Sequence, residues 1–200
     1  MTKLHAFLAG CLLAALSAMP ASAQQEQFAA VLTGTGEIPA NASPGTGSVL
    51  ITVNLSTLIM DVHASFSGLL GTTTAAHIHC CTSVPGSANV GVATGLFSSF
   101  PLGVTSGTYD QSFNMGLATS WNPLFLAAHG VLPSNAFNDL VAGMETGNAY
   151  FNVHTLLFPG GEIRGLVHPV PEPVTYALML AGVGLVAVAT KRRRGGVTRR

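Results

Sequence analysis

GSVLITVNLSTLIMDVHASF, residues 47–66, alternates apolar and polar side chains in two runs, 47–55 and 58–66. A period of two places successive side chains on opposite faces of an extended chain, so each run predicts a strand with one buried face. Ser56 and Thr57 lie between the runs and are few enough to close a hairpin. The stretch therefore predicts two neighbouring antiparallel strands.

The rest of the central sequence repeats this pattern of short extended runs separated by turn-forming residues. Further strands are predicted at residues 28–32, 75–79, 93–97, 105–114, 149–158 and 162–168. Asn122 and Pro123 are typical of a helix start. Ser134 is the candidate cap of a second helix, whose apolar positions recur about every four residues. We expect an all-β fold, an antiparallel β-sandwich of immunoglobulin-like or superoxide-dismutase-like type, with a short helical insertion.

The charged residues are distributed very unevenly along the chain. All eight acidic residues lie between residues 24 and 173, where Arg164 is the one basic residue, so this segment carries seven net negative charges. Such a segment cannot neutralise phosphates, which argues against nucleic-acid binding. The sequence also contains no Gly-x-Ser-x-Gly motif, phosphate-binding loop or Cys-x-x-Cys pair, which argues against ordinary hydrolase, kinase and thioredoxin-like functions.

The first 23 residues have the pattern of a secretory signal peptide. Lys3 precedes an apolar run, and Ala21 and Ala23 flank Ser22 in the small-x-small pattern of a cleavage site. We therefore expect export. An alternative is a lipoprotein signal, because Leu8-Ala9-Gly10-Cys11 resembles a bacterial lipobox. Apart from Cys11, the chain has only the adjacent cysteines Cys80 and Cys81, which provide no disulfide framework.

Two histidines lie two residues apart in Ala-Ala-His-Ile-His, residues 75–79. In a strand, His77 and His79 face the same way, with Cα atoms roughly 6.6 Å apart. His154 lies on the polar face of another predicted strand. These imidazoles predict a metal site for zinc or copper, with Glu162 or Cys80 as a fourth ligand or as a hydrogen-bond partner of the ligands.

A purely structural interpretation of the same residues is open at this point. His77 and His154 could form hydrogen bonds to backbone or carboxylate groups of neighbouring strands. In that interpretation Glu162 and Arg164 form a local ion pair beside them.

The C-terminal segment, residues 170–200, combines a Pro-Glu-Pro motif, an apolar stretch and a basic cluster. Pro171, Glu172 and Pro173 precede uncharged residues 174–190, which are followed by Lys191 and the three arginines Arg192, Arg193 and Arg194. Seventeen helical residues extend about 25 Å, against about 30 Å of bilayer hydrocarbon, so we expect one short transmembrane helix. Its basic end should stay in the cytoplasm, leaving residues 24–169 outside.

This tail resembles the PEP-CTERM sorting signal of Gram-negative bacteria. The resemblance implies recognition by exosortase and the export machinery, anchoring in the inner membrane, and later display at the cell surface or in an exopolysaccharide matrix. A simple C-terminal anchor is the alternative that composition alone supports.

The body of the chain, residues 24–169, resembles the CHRD domain, a module named from chordin and common in bacterial secreted proteins. The matching motifs are Leu32-Thr33-Gly34, Glu37-Ile38-Pro39, Gly45-Thr46-Gly47, Ala75 to His79, Asn122-Pro123, Asn148 to Thr155 and Phe158 to Gly165. Cys80 and Cys81 stand where the family usually has glycine after the second histidine. The resemblance implies a fold and an extracytoplasmic setting rather than a reaction.

Two functional hypotheses follow. The first is a non-enzymatic, surface-displayed binding or structural module, with cations, matrix polysaccharide or surface proteins as partners. The second is a metal-dependent extracytoplasmic enzyme, most plausibly of redox type, that uses His77, His79 and His154.

Overall fold

The computed structural model describes residues 25–171 and 181–182. The strands in this part of the chain are β1 (Gln25–Thr33), β2 (Thr46–Asn54), β3 (Ile59–Ser67), β4 (Thr73–His79), β5 (Gly107–Asn114), β6 (Tyr150–Thr155), β7 (Ile163–Leu166) and β8 (His168–Pro169). The helices between them are α1 (Pro123–Ala128) and α2 (Pro133–Glu145). Short 3-10 turns lie at Gly34–Gly36 and Ala118–Ser120.

The eight described strands form one antiparallel sheet, which curls into a half-barrel. Its order is β4-β6-β7-β1-β2-β3-β5, with β8 also paired to β1. The prediction of a mainly β, antiparallel fold with few helices is confirmed, but these strands do not separate into the two sheets of a sandwich. Strand β1 pairs with β2 along one edge and with β7 and β8 along the other. Because both of its edges are paired, β1 joins the strands on either side into one continuous sheet.

The predicted hairpin of residues 47–66 is present as β2 and β3, paired from Thr46 with Ser67 to Asn54 with Ile59. The Asn54 side-chain oxygen accepts hydrogen bonds from the backbone N–H groups of Ser56 and Thr57, both at 3.0 Å, and so stabilises the turn. One face of the hairpin is fully buried at Ile51, Val53, Met60 and Val62. The alternation of the sequence thus places the core on one side of the sheet.

The helices lie between β5 and β6, where the sequence predicts them. Asn122 caps α1, because its side-chain oxygen accepts a hydrogen bond from the Leu124 N–H at 2.9 Å. The prediction that Ser134 caps the second helix is wrong: α2 begins at Pro133, and its N-cap is the apolar residue Leu132. Proline at the first helical position needs no N–H partner, which favours this earlier start. The buried face of α2 includes Ala136, Phe137, Leu140, Val141 and Met144.

The prediction of a strand at residues 93–97 is wrong. This segment forms an isolated bridge between Thr94 and Trp121, and the Ala93 N–H donates to the Ile78 carbonyl at 2.9 Å. The Gly95 N–H donates instead to the Ser120 carbonyl at 2.9 Å. Because its hydrogen bonds go to different elements, the segment builds no continuous ladder.

Several predictions concern residues beyond this description. They are the signal peptide at residues 1–23 with Cys11, the residues Glu172 and Pro173, the helix at 174–190 apart from 181–182, and the arginines Arg192, Arg193 and Arg194. In the described part of the chain, no helix combines the length and apolar character needed to cross a membrane.

Candidate metal centre

Neighbouring strands β4 and β6 bring the three predicted histidines together on one face of the sheet. The register pairs Ala75 with His154, His77 with Asn152, and His79 with Tyr150. Residues directly opposite each other share a face, so all three imidazoles project to the same side. Ile78 and Phe151 point the other way, into the core, and are fully buried.

The imidazole nitrogens of His77, His79 and His154 converge. One ring nitrogen from each lies within 4.8 Å of the corresponding nitrogens of the other two. His77 Nδ1 and His79 Nε2 are 3.1 Å apart. A tetrahedral ion with metal–nitrogen bonds of about 2.0–2.1 Å holds its ligand atoms about 3.3 Å apart, so small side-chain rotations suffice for coordination.

Backbone carbonyls fix the proton positions on two of the rings. His79 Nδ1 lies 2.7 Å from the Val90 carbonyl oxygen, and His154 Nδ1 lies 2.8 Å from that of Pro159. Because a carbonyl can only accept, each Nδ1 carries the proton and each Nε2 is left with a lone pair. His154 Nε2 is buried and has no hydrogen-bond partner among the described residues. Metal-binding histidines commonly donate one ring N–H to a carbonyl oxygen in this way and bind the metal through the other ring nitrogen.

The three imidazoles are held in their neutral forms. Burial, followed by the proximity of His154 and His79, lowers the pKa of His77 to about 3. Burial is also the largest cause that lowers the pKa of His79 and of His154. Neutral imidazole is the metal-binding form, so no proton has to leave at physiological pH.

Aromatic and cationic side chains hold the His79 ring in place. The ring stacks on Tyr150 with centroids 4.6 Å apart, and the Arg164 guanidinium lies 3.4 Å from the Tyr150 ring centroid. Arg164 donates in turn to Asn89 Oδ1 at 2.7 Å and to the Ala88 carbonyl at 3.0 Å. The loop after β4 is therefore tied to the histidine face of the sheet.

Glu37 and Asn152 also border this site, and sequence reasoning did not assign them to it. Both are buried, at 5% and 2% exposure. Burial raises the pKa of Glu37 to about 7, although Arg164 and Asn152 act in the opposite direction. The period of two already places Asn152 on the face of His154, so its membership could have been found in the sequence. Glu37 lies outside the paired strands, and the sequence singled it out only as part of the Glu37-Ile38-Pro39 family motif, without a role at this site.

Glu162 and Cys80, the suggested additional ligands, are directed elsewhere. The Glu162 carboxylate accepts hydrogen bonds from Ser43, Leu70, Gly71 and Thr155. The expected Glu162–Arg164 ion pair is therefore replaced by separate contacts of the two side chains. Cys80 is joined to Cys81 in a disulfide, so its sulfur is not a free thiolate.

Comparison with known protein families covers nearly all of the described chain. A model of the CHRD domain matches residues 28–167, and a model of the PEP-CTERM protein-sorting motif matches residues 169–194. Neither a curated protein nor a solved structure matches the chain. The first match spans well over half of the sequence, and the second begins two residues after the first ends. The chain therefore belongs to the CHRD domain family and carries a PEP-CTERM sorting motif behind that domain.

Proposed function

We propose that this chain is a surface-displayed binding protein whose CHRD domain holds one zinc or copper ion between His77, His79 and His154. The sorting motif accounts for the setting, since it marks an exported protein for exosortase. Display at the cell surface or in an exopolysaccharide matrix follows from this sorting. The domain acts there as a binding module, which is the first of the two hypotheses drawn from the sequence.

The observation that carries the proposal is the convergence of three neutral imidazoles whose ring nitrogens approach within 4.8 Å. A buried nitrogen lone pair without a hydrogen-bond donor costs free energy, and His154 Nε2 has no such donor in the described part of the chain. An ion that accepts lone pairs from all three rings removes this cost. Neutral imidazole suits both zinc and copper.

The charge of the domain supports a cationic ligand. Seven net negative charges between residues 24 and 173 produce a field that attracts cations and repels anions. An extracytoplasmic location also exposes the site to metal ions of the medium. The polysaccharide and surface-protein partners considered from the sequence would act in addition to the ion, at other parts of the domain.

The test is metal analysis of the full-length chain, purified in mild detergent without a metal-binding tag. We expect about one equivalent of zinc or copper after reconstitution and dialysis. The variants His77→Ala and His154→Ala should lose it. His63→Ala is the matched control, because His63 pairs with Asp110 at 3.0 Å and both side chains are well exposed. A metal-free wild-type chain after reconstitution would contradict the proposal.

A further inference from the structure

We infer that Asn152 completes the metal centre as its fourth protein ligand, through the side-chain oxygen Oδ1. This inference rests on the proposed three-histidine site and defines its type. Three nitrogen ligands and one oxygen ligand fill a tetrahedral coordination shell. A site filled by protein atoms binds an ion without leaving a position for substrate, whereas catalytic zinc sites keep one position open.

The position of Asn152 in the sheet supports this assignment. Asn152 lies on β6 between two cross-strand partners, His77 on β4 and Arg164 on β7. All three side chains share the face that carries His79 and His154. Directly opposed residues have Cβ atoms about 4.5–5.5 Å apart, so the Asn152 amide reaches the region where the imidazole nitrogens converge.

The hydrogen bonding of the amide gives a second, independent observation. Asn152 is 2% exposed, and its Oδ1 is buried without a hydrogen-bond partner among residues 25–171. A buried amide oxygen without a donor costs free energy unless another group accepts its lone pair. A metal ion held by the neighbouring imidazoles is such a group.

Glu37 lies beside the amide nitrogen of Asn152. Gly161 has a φ of +127°, and the Glu37 carboxyl group and Asn152 Nδ2 both lie in the space that a Cβ atom at Gly161 would take. Because the amide nitrogen is on the Glu37 side, Oδ1 lies on the other branch of the amide.

The test uses Co²⁺ as a spectroscopic probe in the full-length chain, since the visible bands of Co²⁺ differ between four-coordinate and higher-coordinate sites. Asn152→Asp keeps an oxygen ligand, and Asn152→Leu removes it while keeping the branched shape of the side chain. We expect wild type and Asn152→Asp to show four-coordinate spectra. Asn152→Leu should bind Co²⁺ about 10- to 100-fold more weakly, with a spectrum altered by entry of water.

A second measurement on the wild-type chain keeps the inference testable if Asn152→Leu does not fold. The side-chain amide signals of Asn152 should shift on addition of Zn²⁺, while those of Asn138, on the exposed face of α2, should not. If wild type binds Co²⁺ but Asn152→Leu has the same affinity and spectrum, or if Zn²⁺ leaves the Asn152 signals unmoved, the fourth-ligand role is wrong and the three-histidine site stands. If wild type binds neither ion, both proposals are wrong.

Discussion

Glu162 has no exposed surface, yet its carboxylate connects three separate segments of the chain. It accepts hydrogen bonds from Ser43 Oγ at 2.6 Å, from the backbone N–H groups of Leu70 and Gly71, and from Thr155 Oγ1 at 2.7 Å. Burial raises the pKa of Glu162, but the hydrogen bonds together outweigh it, so the pKa lies below its usual value. The ionised carboxylate is therefore a structural element of the fold.

Replacing Glu162 with glutamine should lower the free energy of unfolding by about 2–4 kcal/mol. The amide NH₂ cannot accept from a backbone N–H, so at least one buried donor loses its partner. We expect chemical denaturation at pH 7 to show this loss, while metal binding stays unchanged because the side chain faces away from the histidines. Glu145→Gln, at an exposed position of α2, is the control for charge removal alone.

The same residue makes the stability of the wild type depend on pH. A carboxyl group with a lowered folded-state pKa contributes stability above its unfolded pKa of about 4.3, and this contribution is lost as the pH falls through the folded-state pKa. Between pH 3 and pH 7, the free energy of unfolding should therefore depend less on pH in Glu162→Gln than in wild type. Equal pH dependence in the two proteins, or loss of metal in the variant, would contradict this role.

At the scale of elements, the contact between the end of β4 and helix α2 decides how the loop after the histidines is held. Cys80 and Cys81 form a disulfide directly after His79. Their sulfur atoms lie against Gly143 of α2, where a Cβ atom would collide with both. Helix propensity alone would favour alanine over glycine at this buried position by about 1 kcal/mol. The close contact with the two sulfur atoms is therefore what requires glycine here.

Gly143→Ala should therefore destabilise the protein, by about 1–3 kcal/mol, despite the gain in helix propensity. Thermal unfolding of the oxidised protein measures the change. If the collision with the sulfur atoms causes this loss of stability, removing the sulfur atoms should remove it. In a Cys80→Ala/Cys81→Ala background, Gly143→Ala should therefore be neutral or stabilising. Ala142→Gly, at the exposed neighbouring position, should cost about 0.5–1 kcal/mol in both backgrounds. An equal effect of Gly143→Ala in the two backgrounds would show that the sulfur contact is not the cause.

At the scale of the whole molecule, the two matched regions determine the setting of the proposed metal site. The CHRD domain comes first, and the PEP-CTERM motif at residues 169–194 follows it directly. The motif implies export and anchoring in the membrane through the C-terminal signal. The histidine face is consequently presented outside the cytoplasm.

Deleting residues 174–200 should release the protein into the medium as a soluble species, because the apolar stretch and the basic cluster are removed together. Fractionation and immunoblotting measure the distribution. Replacing Pro171, Glu172 and Pro173 with alanine should instead leave the chain in the membrane and prevent its display at the surface. That difference separates sorting from simple anchoring.

The control for this experiment is Cys11→Ala, which should not alter either distribution. Membrane association of the truncated chain, lost on Cys11→Ala, would contradict anchoring by the tail and support the lipoprotein alternative.

Local sequence patterns determined much of the secondary structure and the strand face on which many side chains project. The alternation of residues 47–66 specified the hairpin and its buried face, and Asn122 with Pro123 specified the start of α1. The same period of two placed His77 with His79, and Asn152 with His154, on shared strand faces. These features depend on neighbours within a few residues, and so the sequence alone contains them.

Only the tertiary structure decided which strands lie side by side. His77 and His154 meet because β4 pairs with β6 in one register, and β1 joins the strands into one sheet because both of its edges are paired. The turn at Gly161 also directs Glu162 away from the face that strict alternation predicts. Strand pairing and register depend on packing between distant segments, whereas periodicity fixes only the face on which each side chain projects.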